Sequence, residues 1–364
     1  MLECLALLAR PVAPEPGVIV GPLAWIFGVI INFIFEGVYL IGIRGNSLGI
    51  SIILLTIVFR VLTLPLNIRF QKSMQKMQQL TPEINKIKEK YGNSNDPEIK
   101  KKINQETTAL WAEHKVNPLG GCLPMLLQMP LFFGLNFIMQ QAFLYINRLQ
   151  TLYHNLAQSI IDSSALSYIH GFAEDFLPNN IISNNNTLGE LMLRDPNITV
   201  EAAKAAIPGD TIVLNLAPDL SRILNRFTTE HWDGLFNYIR TNAPTHYDGI
   251  FELAAQRAAI ETFLGLPIVE GAGLGFPGIL IPILVGLATF VSAWLGQQRT
   301  DGEKTTQQTV MLVVMPIFLA AITIGFPAGV GIFWITSNIF QITQQYVMNK
   351  KAGIAINIPF FNRR

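Results

Sequence analysis

Charge is scarce in this sequence. Of its 364 residues, 14% are charged and 50% are hydrophobic, and the mean hydropathy is +0.36. Soluble domains carry about 25% charged residues, so this composition excludes an ordinary soluble domain and predicts a polytopic membrane protein. The two cysteines, Cys4 and Cys122, are too few for a disulfide framework or a four-thiolate metal site.

Patterns of catalytic residues are missing as well. The five histidines include no H-x-x-x-H pair, and no phosphate-binding glycine loop with a lysine occurs. Residues Gly45–Gly49 match G-x-S-x-G literally, but they open a predicted membrane helix and lack the strand–turn–helix context of a nucleophile. We therefore expect no enzyme activity, no catalytic residue, no metal and no cofactor.

One apolar stretch contains a single charge. Residues Leu48 to Leu66 are long enough to cross a bilayer as a helix, and Arg60 lies within them. An arginine inside a span costs about 2.5–3.5 kcal/mol unless something solvates it. It could line a polar cavity that receives a substrate. It could also snorkel to the surface, because Leu66 is only roughly 9 Å further along a helix.

Four further apolar stretches predict an all-α protein with five spans. Before them, residues 23–43 carry Asn32 and Glu36 on one helix face with Gly28, which favours a helix lying in the membrane interface, although a span stays possible. The predicted organisation is an outer lead-in with the interfacial helix at 1–46, spans at 47–67, 118–146, 276–297, 310–325 and 328–348, a cytoplasmic helical hairpin at 68–117, an enlarged outer loop at 147–275, a cytoplasmic loop at 298–309 and a basic cytoplasmic tail at 349–364.

Lysine and arginine are distributed unevenly between the polar segments. Residues 67–117 hold ten basic and six acidic residues, and residues 147–275 hold seven basic and fourteen acidic ones. The positive-inside rule places the basic hairpin and the C-terminus in the cytoplasm and the acidic segment outside. We expect helices in that outer segment at Val200–Ala206, Asp219–Ile239 and Tyr247–Phe263. The basic surface is either simply solvated or a docking face for an acidic partner or anionic lipid.

Polar side chains within the spans lie mostly toward the cytoplasmic half or at mid-depth. They include Arg60, Gln128, Thr336 and Asn338, whereas no carboxylate lies in any predicted span. The missing carboxylates argue against a proton-relay or sodium-coupled transporter. The pattern favours a hydrophilic groove that opens to the cytoplasm and is closed on the outer side.

Several short motifs are spread over the predicted spans and the hairpin. The most specific is the run NPLGGCLPMLLQMP at 117–130. The others are Arg60 with Pro65-Leu66, Lys72-Ser73-Met74, Leu80-x-Pro82, Lys90-Tyr91, the FPAG run at 326–329, Phe333-Trp334 and Ser337-Asn338. Together these motifs resemble those of the YidC/Oxa/Alb membrane protein insertases, in their bacterial five-span form. The match covers roughly residues 47–147 and 264–349, and the enlarged outer loop, with its extra residues between about 148 and 262, departs from it.

This resemblance implies a groove formed by the five spans, in which Arg60, Gln128 and Trp334 match the groove-lining positions. It implies insertion of nascent membrane proteins into the lipid bilayer of a bacterial cell membrane, alone or with the Sec translocon. The ribosome and the signal recognition receptor are further implied partners. The implied docking regions are the cytoplasmic hairpin and the C-terminal tail, with their lysines Lys86, Lys88, Lys90, Lys350 and Lys351.

Two other functions stay open at this point. Arg60 could be the binding charge of a small-anion transporter or channel, or the protein could be a scaffold that only assembles other membrane proteins. Flux through reconstituted vesicles would identify the first, and crosslinks from Gln128 or Trp334 to nascent chains would exclude the second.

Overall fold

A computed structural model describes residues 17–92, 96–114, 123–163, 165, 168–169, 216–297 and 309–351. The chain divides into two compact units. The insert unit, as we call it, comprises the described parts of Gly28–Ser51 and Phe137–Glu270. The bundle unit comprises those of Gly17–Phe27, Ile52–Asn136 and Gly271–Arg364.

The regular secondary structure of the described residues is helical apart from one two-stranded β-hairpin. This agrees with the all-α prediction, although the hairpin was not predicted. The elements are α1 (Gly17–Leu40), α2 (Ser47–Gln79), α3 (Thr81–Tyr91), α4 (Pro97–Glu113), α5 (Leu123–Gln140), α6 (Ala142–Tyr145), α7 (Asn147–Asp162), α8 (Leu216–Leu224), α9 (Thr229–Asn242), α10 (Pro244–Glu261), β1 (Thr262–Phe263), β2 (Leu266–Pro267), α11 (Leu280–Gln297), a π-helical turn (Val310–Val314), α12 (Met315–Thr323) and α13 (Ala328–Lys351).

The insert unit has its own core, built on the apolar face of α7. Helix α7 packs against α8 and α10, and α9 packs against α10. The helix buries side chains at the spacing expected of one helical face. These are Leu149, Tyr153, Leu156, Ala157 and Ile160, and they meet a core to which Leu220, Leu224, Trp232, Leu235, Ile239 and Ile250 also belong.

Two helix predictions in this unit need correction. The prediction of a single helix over Asp219–Ile239 is wrong, because α8 ends at Leu224 and α9 begins at Thr229. Thr228 takes an extended conformation there and forms a capping box with His231, in which histidine stands where glutamate or glutamine is usual. The predicted helix Tyr247–Phe263 ends two residues earlier, where β1 begins, and Val200–Ala206 lies outside the described residues.

The polar face of α1 packs against protein within the insert unit. Asn32 is buried, and its Oδ1 accepts a hydrogen bond from the backbone N of Asn147 at 3.0 Å. Glu36 pairs with Nε of Arg148 at 2.8 Å. Phe33, on another face of α1, is 69% exposed. The polar stripe that favoured an interfacial helix therefore binds the chain itself, and apolar residues form the free surface.

In the bundle unit, α11 packs against both α12 and α13. Gly331 permits the approach of α13, because a Cβ at this position would collide with the side chain of Ile281 on α11. Small residues at such crossings are typical of membrane helices. Pro316 cannot donate a backbone hydrogen bond, and the helical turn before it widens to the π form at Val310–Val314.

Among the described residues, two stretches are long and apolar enough to cross a membrane, Ser47–Ser73 and Leu280–Gln297. Most of each apolar window faces outward rather than into the protein. Ala24–Leu40 and Val310–Thr323 are shorter apolar helices. A helical membrane protein is therefore supported, while the count of five spans stays a prediction.

Candidate functional site

A polar stripe runs along one face of α2 in the bundle unit. It consists of Arg60, Thr63, Asn67 and Gln71, all of them half-buried. Their spacing of three and four residues places them above one another, over roughly 16 Å of helix. Thr63 Oγ1 donates to the carbonyl of Phe59 at 2.9 Å and accepts from Nδ2 of Asn67 at 3.2 Å. The stripe is thus an ordered row of polar groups that begins in the apolar part of α2 and continues into its polar C-terminal part.

Arg60 and Gln128, predicted from sequence as groove residues, are brought together. The Nη2 of Arg60 donates to Oε1 of Gln128 at 3.2 Å, joining α2 to α5. Among the described residues, Arg60 forms no ion pair with a carboxylate. A neutral amide therefore satisfies one guanidinium donor, and no carboxylate in the described part of the chain neutralises the positive charge. Such a charge attracts anions and water to the stripe.

The last helix supplies a second set of polar groups. Nε2 of Gln344 donates to Oε1 of Gln71 at 3.3 Å, which connects α13 to the polar stripe. Nδ2 of Asn338 donates to Oγ1 of Thr289 on α11 at 3.0 Å. Asn338 and Thr336 are both half-buried. Asn338, one of the predicted groove residues on α13, therefore connects α13 to α11.

Trp334 lies in an aromatic cluster rather than in hydrogen-bond contact with the stripe. Its ring stacks on Phe132 with centroids 5.0 Å apart and meets the edge of Phe326 at 6.3 Å. Phe132 and Phe326 also contact each other edge to face at 5.2 Å. Trp334 is only 7% exposed. This packing fixes α5 against the start of α13, and the groove-lining role of Trp334 stays a prediction.

The basic residues of the helical hairpin differ in their freedom to bind a partner. Nζ of Lys90 donates to Oε1 of Glu106 at 2.9 Å, and the hydroxyl of Tyr91 donates to the same oxygen at 2.6 Å. The Tyr91 hydrogen bond and the Lys90 charge lower the pKa of Glu106. Lys90 thus ties α3 to α4 although its side chain is exposed. Lys86, Lys88 and, on α13, Lys350 are exposed as well. The side chain of Lys351 lies outside the part of the chain that the structure describes.

Sequence reasoning missed three members of the site, Asn67, Gln71 and Gln344. The first span was predicted to end at residue 67, so Asn67 and Gln71 were assigned to its end and to the hairpin. In the structure α2 continues without interruption to Gln79. The spacing of Asn67 and Gln71 from Arg60 was the signal that could have identified them.

Comparison with known proteins places these residues in a family. The family model described as "60Kd inner membrane protein" matches residues 39–184 and 232–354, which is well over half of the chain. The chain belongs to this family. The matched segments contain Arg60, Gln128, Trp334 and Asn338, and residues 185–231 lie outside them.

Its relatives are named as insertases. The chain is 26% identical to "Membrane protein insertase MisCA" of Bacillus subtilis over 310 residues, which are 85% of this chain and 73% of that protein. It is 26% identical to "Membrane protein insertase YidC" of Syntrophobacter fumaroxidans over 84% of this chain but 35% of the relative. Identity reaches 49% with the YidC of Fusobacterium nucleatum over 90 residues, which are 25% of this chain and 42% of that protein.

Proposed function

We propose that this protein is a membrane protein insertase whose polar stripe receives hydrophilic segments of nascent membrane proteins. Family membership supports the insertase role. The role of the polar stripe in insertion is supported by the hydrogen bond of Arg60 to a neutral amide. No carboxylate is paired with Arg60 in the described part of the chain. The proposal requires no catalytic residue and no cofactor.

The uncompensated charge gives the stripe its chemistry. An acidic residue on a substrate segment experiences an attraction of about 4 kcal/mol at roughly 4 Å in a medium of intermediate dielectric constant, against about 1 kcal/mol in water. A polar row that extends from Arg60 to Gln71 and Gln344 offers hydrogen bonds to the segment at successive depths. Polar residues of the substrate then cross less hydrocarbon.

Release into lipid completes the proposed cycle. Exposed apolar side chains cover the outer surfaces of α2 and α11, among them Leu62, Ile283 and Leu287. An apolar substrate helix that leaves the stripe sideways is removed from water, which contributes about 25 cal/mol per Å² of apolar surface. The burial of the substrate helix therefore drives insertion, and the protein needs no nucleotide of its own.

The proposed setting is the bacterial cell membrane, with five spans around a groove open to the cytoplasm and with the C-terminus inside. Proposed partners are the ribosome, the signal recognition receptor and the Sec translocon, besides nascent chains and lipid. The exposed Lys86, Lys88 and Lys350 suit docking to acidic partners. Lys90 and Lys351 belong to the same proposed surface, although Lys90 already pairs with Glu106.

Site-specific photocrosslinking to a ribosome-bound nascent membrane protein tests the proposal. A photoreactive residue at Thr63 lies on the stripe, and one at the neighbouring Leu62, which is 71% exposed, lies on the apolar surface at the same depth. We expect the hydrophilic segment of the nascent chain to crosslink from position 63 and much less from position 62. Equal yields of this segment from both positions would contradict the proposal.

A further inference from the structure

The hairpin β1–β2 carries an exposed leucine in a conformation that leucine disfavours. Leu264 and Gly265 form the two-residue turn between Phe263 and Leu266, and both have positive φ, 51° and 82°. Such turns favour asparagine, aspartate and glycine. The Leu264 side chain is 79% exposed, so contacts within the protein do not explain its presence.

The same hairpin is attached to the beginning of the apolar helix α2. The backbone N of Leu264 donates to Oδ1 of Asn46 at 2.7 Å, and the backbone N of Asn46 donates to the carbonyl of Ala259 at 3.0 Å. The ring of Phe263 lies against Gly49, where a Cβ would collide with it. All of these residues belong to the insert unit. The turn is therefore held at the first residues of a helix that is long enough to cross a membrane.

More apolar side chains are exposed in the residues just before α2 begins. Leu40 and Ile41 are each 76% exposed, and Ile43 is 37% exposed. Ile43 lies three residues from Asn46, a chain distance of at most about 11 Å. The exposed Arg44 follows it, and a cation at this position complements lipid phosphate groups.

From these contacts we propose that Leu264, with Leu40, Ile41 and Ile43, forms an apolar seat by which the insert unit inserts into the lipid leaflet at which α2 begins. The occupant is the bilayer because the seat is continuous with the apolar helix. A chain that enters the membrane at Ser47 places Asn46, and the turn bound to it, at the membrane surface. The seat keeps the insert unit in contact with the lipid around the start of α2.

A photoreactive phosphatidylcholine in vesicles that contain the full-length protein tests this proposal, with adducts mapped by mass spectrometry. We expect adducts on the peptide that spans 262–267. Few should occur around the polar, exposed Thr245 at the opposite end of α10, roughly 27 Å away along the helix. Labelling near Thr245 as strong as that of the hairpin would overturn the proposal, as would a hairpin without adducts, which would point to a protein partner.

The variant Leu264→Asn separates the seat from the turn. Asparagine is favoured at positive φ, so the turn and its bond to Asn46 should persist while the apolar side chain is lost. Most adducts on the hairpin should disappear, while those on the exposed residues of α11, such as Leu287, should stay at their wild-type level. Unchanged labelling of the hairpin in this variant would refute the role of Leu264.

Discussion

Replacing Arg257 with alanine should destabilise the insert unit by about 3–5 kcal/mol, the cost of breaking a buried ion pair by removing one partner. Nη1 of Arg257 lies 3.1 Å from Oε2 of Glu261 and 3.3 Å from the Tyr153 hydroxyl. That hydroxyl donates to Oε1 of Glu261 at 3.0 Å. The side chains of Arg257 and Glu261 are only 12% and 4% exposed. The carboxylate of Glu261 would therefore stay buried without its cation.

The electrostatics of this cluster support the size of the effect. Burial raises the pKa of Glu261, and the charge of Arg257 opposes that rise. Burial and the charge of Glu261 also raise the pKa of Tyr153. Without Arg257, the carboxylate retains one hydroxyl donor in a dry site. We expect Glu261→Gln to recover part of the loss in the Arg257→Ala background, because the double variant removes the buried charge at position 261 and its repulsion with Glu270.

Hydrogen exchange of the full-length protein, followed by mass spectrometry, measures this loss. A decrease of about 3 kcal/mol corresponds to roughly a hundredfold faster exchange through opening. It should appear in the amides of α7 and α10, which the cluster joins. Arg148→Ala is the matched control, because its pair with Glu36 is more exposed and should be worth about 1 kcal/mol or less. Less than tenfold acceleration in Arg257→Ala would show that this ion pair contributes far less than a buried pair should.

Three further predictions concern packing and pH. Gly331→Ala should lower the free energy of unfolding of the full-length protein by about 1–3 kcal/mol, and with it the unfolding temperature, because the added Cβ collides with Ile281. Gly37→Ala, with open space around it, should leave the unfolding temperature unchanged. Trp334→Ala should lower the free energy of unfolding by about 3–5 kcal/mol, because a buried aromatic contact with Phe132 is lost; an unchanged unfolding temperature would contradict this. The lowered pKa of Glu106 means that its pairing stabilises the hairpin above the ordinary glutamate pKa and is lost as the pH falls through the lowered value. Amide hydrogen exchange in α3 and α4 should therefore be faster in Glu106→Gln than in the wild type at neutral pH and should become equal in the two proteins in acid. A ratio of the two rates that does not change with pH would exclude a stabilising role of the Glu106 charge.

Composition and periodicity were sufficient to predict a helical membrane protein and to place Arg60 and Gln128 toward the same side of two apolar helices. A charge or amide in an apolar helix needs a polar partner, but which residue meets which depends on how the helices pack, and the hydrogen bond between the two side chains is seen only in the structure. The family motifs led to the correct family. Helix α11 was predicted as a span, and its residues Leu280–Gln297 are long and apolar enough to be one.

Other features depend on contacts that no local pattern announces. The continuation of α2 beyond Leu66 was missed because the composition turns polar there and Pro65 is a helix breaker, yet the helix continues past Pro65 to Gln79. The polar face of α1 favoured a position at the membrane–water interface. In the structure, the polar side chains of this face form hydrogen bonds with Asn147 and Arg148, which are far away in sequence. The turn at Leu264 lacks the asparagine or aspartate that usually marks such turns, and its position depends on Asn46.

Insertion rates in reconstituted vesicles show whether the charge of Arg60 receives the substrate. One substrate is used in two versions, with an acidic or a neutral translocated segment. Arg60→Ala should slow the acidic version strongly and the neutral version less, Arg60→Lys should slow the acidic version less than Arg60→Ala does, and Arg69→Ala, at an exposed position of the same helix, should slow neither. Insertion of the acidic version at the full rate by Arg60→Ala would contradict the claim that this charge receives the substrate.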